Sequence, residues 1–216
     1  MINPFLNKIH WLGHASFRID GETATIYLDP WQLSGDQPQA DLILITHDHH
    51  DHCSPEDVAK IQGTGTVIVT VAESVKKLKG DIRVVKPGDL LTVKGVDIQA
   101  VPAYNLTKFR SPGVTFHPKE MGFVGFIVTV DGQRIYHAGD TDIIPEMSDY
   151  QADIALLPVS GTYVMTAEEA AEAAGIIKPG VMVPMHVGRG IGSENDLETI
   201  QAISPVPVEV LEFEGK

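Results

Sequence analysis

Seven consecutive residues carry most of the reactive chemistry in this chain: Thr46-His47-Asp48-His49-His50-Asp51-His52. Within them His47, His49, Asp51 and His52 form the pattern H-x-H-x-D-H. The chain has nine histidines in 216 residues, and at that frequency chance would produce the pattern about once in a thousand such chains. Imidazole and carboxylate are ligands for zinc, iron and manganese. Alternate residues of an extended segment face the same way, so His47 and His49 can address one cation. Asp51 and His52, past a turn, can address a second. The plain alternative is a solvated polar loop, and the apolar run directly before the cluster argues against it. Two cations need more than four donors. Asp140, in His137-Ala138-Gly139-Asp140-Thr141-Asp142, and His186, in Pro184-Met185-His186, are the further candidates, and both follow apolar runs.

The elements that must position these residues can be read from periodicity and turn chemistry. Lys8–Trp11, Ser16–Ile19 and Thr25–Leu28 read as short strands separated by Gly13 and Asp20-Gly21. Asp41–Thr46 is a near-continuous apolar run, the mark of a strand buried on both faces. Ser54 as N-cap, Pro55 at the first helical position and Glu56-Asp57 in the first turn predict a helix to about Ile61. Thr66–Thr70, Ile82–Val85, Leu90–Val93 and Val96–Val101 read as strands, and Ala72–Leu78 as a helix. Asn105–Lys119 reads as a long loop, a length that is usually functional or disordered. Asp131-Gly132 predicts a hairpin between Gly122–Val130 and Gln133–His137. Asp153–Pro158 and Val181–Pro184 are apolar strands. Thr166 and Glu169 form a capping box for a helix to about Ile177. Glu194–Ile203 is a helix and Val206–Leu211 a closing strand. Strands lead and then mix with helices in both halves, without regular βαβ alternation. That order predicts an α+β fold, a four-layer αββα sandwich, in a single domain over 1–216.

Composition narrows the function. The formal net charge is −13, which repels nucleic-acid phosphates and anionic membrane surfaces. An anionic small-molecule substrate stays open, because bound cations reverse the potential locally. Cys53 is the single cysteine, which excludes an intrachain disulfide and a cysteine-rich structural zinc site. The cytoplasm is the expected compartment: no signal-peptide apolar region is present, and no run approaches the roughly 18 apolar residues that span a bilayer. Membrane and nucleic-acid partners are not expected. A homo-oligomer is left open.

These residues resemble the motifs of the metallo-β-lactamase superfamily over nearly the whole chain. Asp29 in Leu28-Asp29-Pro30 resembles the first motif, His47–His52 the second, Asp140 the fourth and His186 the fifth. Trp11-Leu12-Gly13-His14-Ala15-Ser16-Phe17 and Tyr136–Asp142 resemble the small bacterial and archaeal branch that includes the ascorbate-6-phosphate lactonases. The resemblance implies a dinuclear site: His47 and His49 on metal 1, Asp51, His52 and His186 on metal 2, and Asp140 bridging. It implies two divalent ions, zinc first, with manganese, iron or nickel as alternatives. One motif departs. The third should supply a histidine to metal 1, and Tyr104 and Asn105 stand there instead. His117, in the following loop, is expected to fill the role. Asp29 is expected to accept hydrogen bonds from ligand imidazoles. His14 is a candidate for substrate contact or support of the ligands, with a buried structural histidine as the alternative. His137 and Cys53 are read as structural, and His50 as pointing away.

The expected activity is hydrolysis of a small ester, lactone or phosphodiester by a metal-bridging hydroxide, with Asp51 aiming it. Lys119, Arg110 and Tyr163 are weaker candidates for contact with an anionic substrate. Two other readings compete: a diiron redox protein with the same ligand set, and a degenerate metal-binding module without catalysis, suggested by the missing third-motif histidine.

Overall fold

A computed structural model describes residues 3–215. One six-stranded sheet is built from β1 (Ile9–Gly13), β2 (Ser16–Asp20), β3 (Thr25–Leu28), β4 (Ala40–Ile45), β5 (Gln62–Thr70) and β6 (Asp81–Val84), side by side in chain order. The first three form an antiparallel meander, and β3 to β6 run parallel. Helices α1 (Pro55–Ile61) and α2 (Ala72–Val75) lie in the crossovers from β4 to β5 and from β5 to β6. The second sheet uses β7 (Leu90–Val93), β8 (Val96–Pro102), β11 (Val124–Val130), β12 (Gln133–His137), β13 (Ile154–Pro158) and β14 (Val181–Met185), in the order β14-β13-β12-β11-β8-β7. Between β8 and β11 a small separate hairpin forms from β9 (Phe109–Ser111) and β10 (Val114–Thr115). Helix α3 (Ala167–Ile177) carries the crossover from β13 to β14 and packs on α4 (Glu194–Ile203).

The two sheets pack face to face because their strands alternate, and some are apolar on both sides. In the first sheet Ile26, Leu28, Leu42, Leu44, Val67 and Val69 join the main core shared with Phe126 and Val128 of the second. Tyr27, Ile43, Ile45 and Ile68 point the other way, onto Val58 and Ile61 of α1. On the far side α3 buries Ala167, Ala170, Ala171, Ala173, Ala174 and Ile177. Small alanines let its backbone lie close to β13. The result is the α+β, four-layer αββα sandwich that the element order predicts. Among the described residues no helix is long and apolar enough to cross a membrane.

Helix starts follow the local chemistry. Thr166 and Glu169 make the reciprocal capping box. Ser54 caps α1, with Pro55 at its start. The Asp57 carboxylate accepts hydrogen bonds from the Gln32 and Leu33 backbone N–H groups at 2.7 and 2.9 Å and from Lys60 at 2.7 Å. It thereby ties the segment after Asp29 to α1.

Three sequence expectations need correction. Ala72–Leu78 is helical only to Val75. Lys77 and Leu78 close tight turns onto Ser74 and Val75 instead, and β6 begins soon after at Asp81. Asn105–Lys119 is not wholly a loop, since it holds β9 and β10. Val206–Leu211 forms no strand. Pro205 and Pro207 lack donors, and the segment makes a single bridge, Val208 to Met182 of β14, while Phe213 beyond it bridges to Trp11 of β1. The tail thus covers one point on an edge of each sheet, where it stands in the way of a foreign strand.

Asp57→Ala leaves the backbone donors of Gln32, part-buried, and Leu33, buried, without their acceptor. We expect a loss of about 2–4 kcal/mol, read in urea unfolding as a lower midpoint with unchanged slope. A midpoint shift under about 0.5 kcal/mol in equivalent would contradict this account.

Candidate metal centre

Strand ends from both sheets meet at one end of the sandwich. Thr46 and His47 follow β4, Asp140 follows β12 and His186 follows β14. His14 sits in the turn between β1 and β2, and His117 follows β10. The structure brings all of them together with His49, Asp51 and His52. Their ligand atoms fall into three mutually close groups: His47, His49 and His117; His14, Asp51, His52 and His186; and His47, His52 and Asp140.

Asp140 is the hinge of the arrangement. Its Oδ2 lies 3.4 Å from His117 Nε2 and 3.9 Å from His47 Nε2. Its Oδ1 lies 3.2 Å from His52 Nε2 and 3.4 Å from His186 Nε2. The carboxylate therefore presents one oxygen to each histidine set. His117 Nε2 is 3.2 Å from His49 Nδ1. Two donors on one cation with bonds near 2.1 Å stand about 2.9–3.4 Å apart, and most of these separations fall there. Moreover, His47 Nε2, His52 Nε2, His186 Nε2 and Asp140 Oδ1 are buried without any hydrogen-bond partner. Buried polar atoms are rarely left so. Converging lone pairs at these spacings fit divalent cations.

The opposite edges of the rings are held. His52 Nδ1 lies 2.7 Å from Asp29 Oδ2. The same oxygen accepts from Thr46 Oγ1 at 2.7 Å, and Thr46 Oγ1 lies 2.9 Å from His47 Nδ1. Because the Thr46 proton points to Asp29, its oxygen must accept from His47 Nδ1–H. His47, and His52 in its neutral form, are thus left with a lone pair on Nε2. Asn105 Oδ1 accepts from the His117 backbone N–H at 2.9 Å and stands 2.8 Å from His117 Nδ1. The Asn105 amide in turn donates to Asp142 and to the Tyr163 carbonyl, each at 2.9 Å. Ser160 Oγ lies 2.9 Å from His186 Nδ1. Such partners fix the tautomer and direction of a ligand ring. The sequence reading reaches Asp29 in this role but misses Thr46, Ser160 and Asn105. Ser160 and Thr46 each directly follow or nearly follow an apolar strand, which was the available signal.

Electrostatics follow from burial. Burial pushes His14 and His117 down to about 4 and lowers His47 and His49 as well, so these rings are neutral near pH 7. His52 behaves differently: burial opposes its charge, but Asp140 and Asp29 outweigh burial and hold it well above the usual range. Burial likewise opposes ionisation of Asp140, and His186 with His52 prevails, keeping the carboxyl well below its ordinary value. A divalent ion would give Asp140 the same compensation without a protonated ring.

Other residues lie apart from this cluster. His50 is exposed. His137 Nε2 donates to the Ala15 carbonyl at 2.8 Å and its Nδ1 accepts from Gly139 N–H, which shapes the turn before Asp140. Cys53 is buried, and burial raises its thiol pKa. Lys119 is committed to Glu146 at 2.8 Å and to Tyr104 OH.

The family model described as "Beta-lactamase superfamily domain" matches residues 8–186. A "UPF0173 metal-dependent hydrolase" of Methanoculleus marisnigri is 34% identical over 214 residues, covering 94% of this chain and 93% of its own. Another, of Methanopyrus kandleri, is 31% identical over 207 residues, with 88% of each chain covered. A crystal structure of a candidate metal-dependent hydrolase from Parabacteroides distasonis superposes with a TM-score of 0.82 at 37% identity, covering 95% of this chain and 93% of its own.

The hydrogen bonds behind the rings separate two substitutions. Asp29→Asn disturbs both His52 and His47 and should weaken cation binding at both histidine sets by about 10–100-fold. Asn105→Ala disturbs His117 alone and should weaken binding at one by a similar factor. Calorimetric titration of the apoprotein with zinc reads both. Equal effects of the two substitutions on both sites would refute the assignment.

Proposed function

The chain belongs to the metallo-β-lactamase superfamily, among its metal-dependent hydrolases, and from that premise we propose that it cleaves a small ester, lactone or phosphodiester using two divalent cations. His47, His49 and His117 hold one, and Asp51, His52 and His186 hold the other. Asp140 spans both. Zinc is the first choice for such an imidazole-rich set, with manganese, iron or nickel as alternatives. The observation that carries the reading is the pair of Asp140 oxygens, each turned to a different histidine set. When bound, the ions acidify a coordinated water and polarise the substrate oxygen that gains charge.

The side chains supply the rest. Asp51 is partly exposed, and its Oδ1 is free of strong partners, 3.6 Å from His50. It accepts a hydrogen bond from the attacking water and aims its lone pair. Trp31 stands with its ring edge-on to both His14 and His50, 5.2 and 5.8 Å between centroids. It forms an apolar wall that keeps bulk water from the reacting atoms. His117 beside His49 supports a full donor set in place of the third-motif histidine, which favours an enzyme over a degenerate binding module. Tyr163, 43% exposed and packed on Phe116, is better placed than Lys119 to meet a substrate.

His49→Ala and Asp140→Ala should each cut turnover at least about a hundredfold, with unchanged circular dichroism. The assay uses a panel of lactones, carboxylic esters and phosphodiesters on metal-loaded protein. Full activity of either variant at saturating metal would refute the mechanism. Dialysis against a chelator should remove activity, and added zinc or manganese should restore it. Activity that persists with no measurable metal would overturn the metal-dependent reading itself.

A further inference from the structure

We propose that His14 is a further donor to the cation held by Asp51, His52 and His186, which gives that cation five protein donors once Asp140 is counted. The inference rests on the two-cation reading above and adds to it a difference between the two sites.

His14 is fully buried, and neither ring nitrogen has a hydrogen-bond partner. An imidazole buried only for packing would leave both nitrogens desolvated and unpaired, a cost that native structures avoid. Its Nε2 stands 3.3 Å from Asp51 Oδ2. That contact lacks hydrogen-bond geometry, since neither His14 nitrogen is satisfied by it. The separation instead matches two donors sharing one ion, about 2.9–3.4 Å. The ring centroid lies 4.2 Å from that of His186 and 5.5 Å from that of His52.

The backbone is bent to deliver this ring. His14 has φ 55, in the left-handed region that L residues enter at a cost. Gly13 before it has φ 97, and the space its Cβ would fill holds the Arg189 guanidinium, 2.6 Å away. The His14 carbonyl accepts from His186 N–H and from the Trp11 indole, both at 3.0 Å. His14 is thus fixed through its main chain, whereas His47, His52, His117 and His186 are fixed through Nδ1. Strain of this kind persists where the surroundings impose it, often at sites that use the residue.

The two sites then differ. Three imidazoles and two carboxylate oxygens exceed a tetrahedral set, so the Asp51 site favours an ion that takes five or six ligands, such as manganese, iron or nickel. The His47, His49 and His117 site, with Asp140, keeps four donors and suits tetrahedral zinc.

Cobalt(II) is the probe, because its visible absorption weakens as coordination rises above four. Apoprotein should bind two ions. In His14→Asn, whose side chain tolerates the left-handed backbone, one dissociation constant should rise at least about tenfold and the other stay put. The absorption of the weakened site should also intensify. Two unchanged constants and an unchanged spectrum overturn the proposal while leaving the two-cation reading intact. Uptake of fewer than two ions by the unsubstituted protein overturns both. A measurement without substitution guards against misfolding: in zinc-loaded, 15N-histidine-labelled protein, a sequentially assigned His14 ring nitrogen at a metal-bound shift supports the proposal, and a free-imidazole shift refutes it.

Discussion

Asp140 lies almost wholly out of water between two sheets, and a carboxylate in that position has to be met by positive charge or be neutralised. Much of the molecule answers this one demand. Burial keeps His47, His49 and His117 neutral, so these three rings cannot supply the charge themselves, but they can point lone pairs at something that does. The turn carrying Asp140 is pressed so tightly against β4 and β11 that a Cβ on Gly139 would come within 3.0 Å of the Val124 carbonyl and 3.2 Å of Thr46. Gly139 also has φ 63, which glycine adopts without penalty. A larger residue would push the carboxylate out of the cluster.

A single buried anion behind the site links its parts. Asp29 reaches His52 directly and His47 through Thr46. It also accepts from the Thr46 backbone N–H at 2.8 Å. Charge, tautomer and backbone position at the end of β4 are therefore set by one side chain from the neighbouring strand, β3. Asp29, His14 and His186 all have positive φ, an arrangement costing of order 1 kcal/mol or more each. At these three positions the polar side chain is aimed inward at the expense of a relaxed extended backbone.

Much of this was legible in the sequence because it is local. The apolar run in Asp41–Thr46, the Thr166 and Glu169 pair and the Ser54-Pro55 start are properties of neighbouring residues, and the elements form accordingly. The H-x-H-x-D-H cluster is likewise compact in sequence. What escaped depends on distant partners. Whether Val206–Leu211 becomes a strand is decided by which edge lies beside it, and it meets β14 at a single bridge. Asn105 reads as a gap in a motif, yet its amide oxygen meets a ring twelve residues on in the chain. Thr46 and Ser160 have ordinary side chains for strand ends, and only the fold gives them a histidine to hold.

The His117 clamp has an outcome for how such a protein can diversify. Asn105 N–H bonds to the His117 carbonyl at 2.8 Å, and Asn105 Oδ1 takes the His117 N–H. These two bonds pinch shut the base of the excursion formed by residues 106–116. The excursion can then be lengthened, shortened or recoloured, since loop closure depends only weakly on length, while the knot at its base stays tied. Exposed Leu106, Phe109 and Val114 sit on that interchangeable part. New substrate preferences can be tried there by insertion and drift without loosening the imidazole the knot secures.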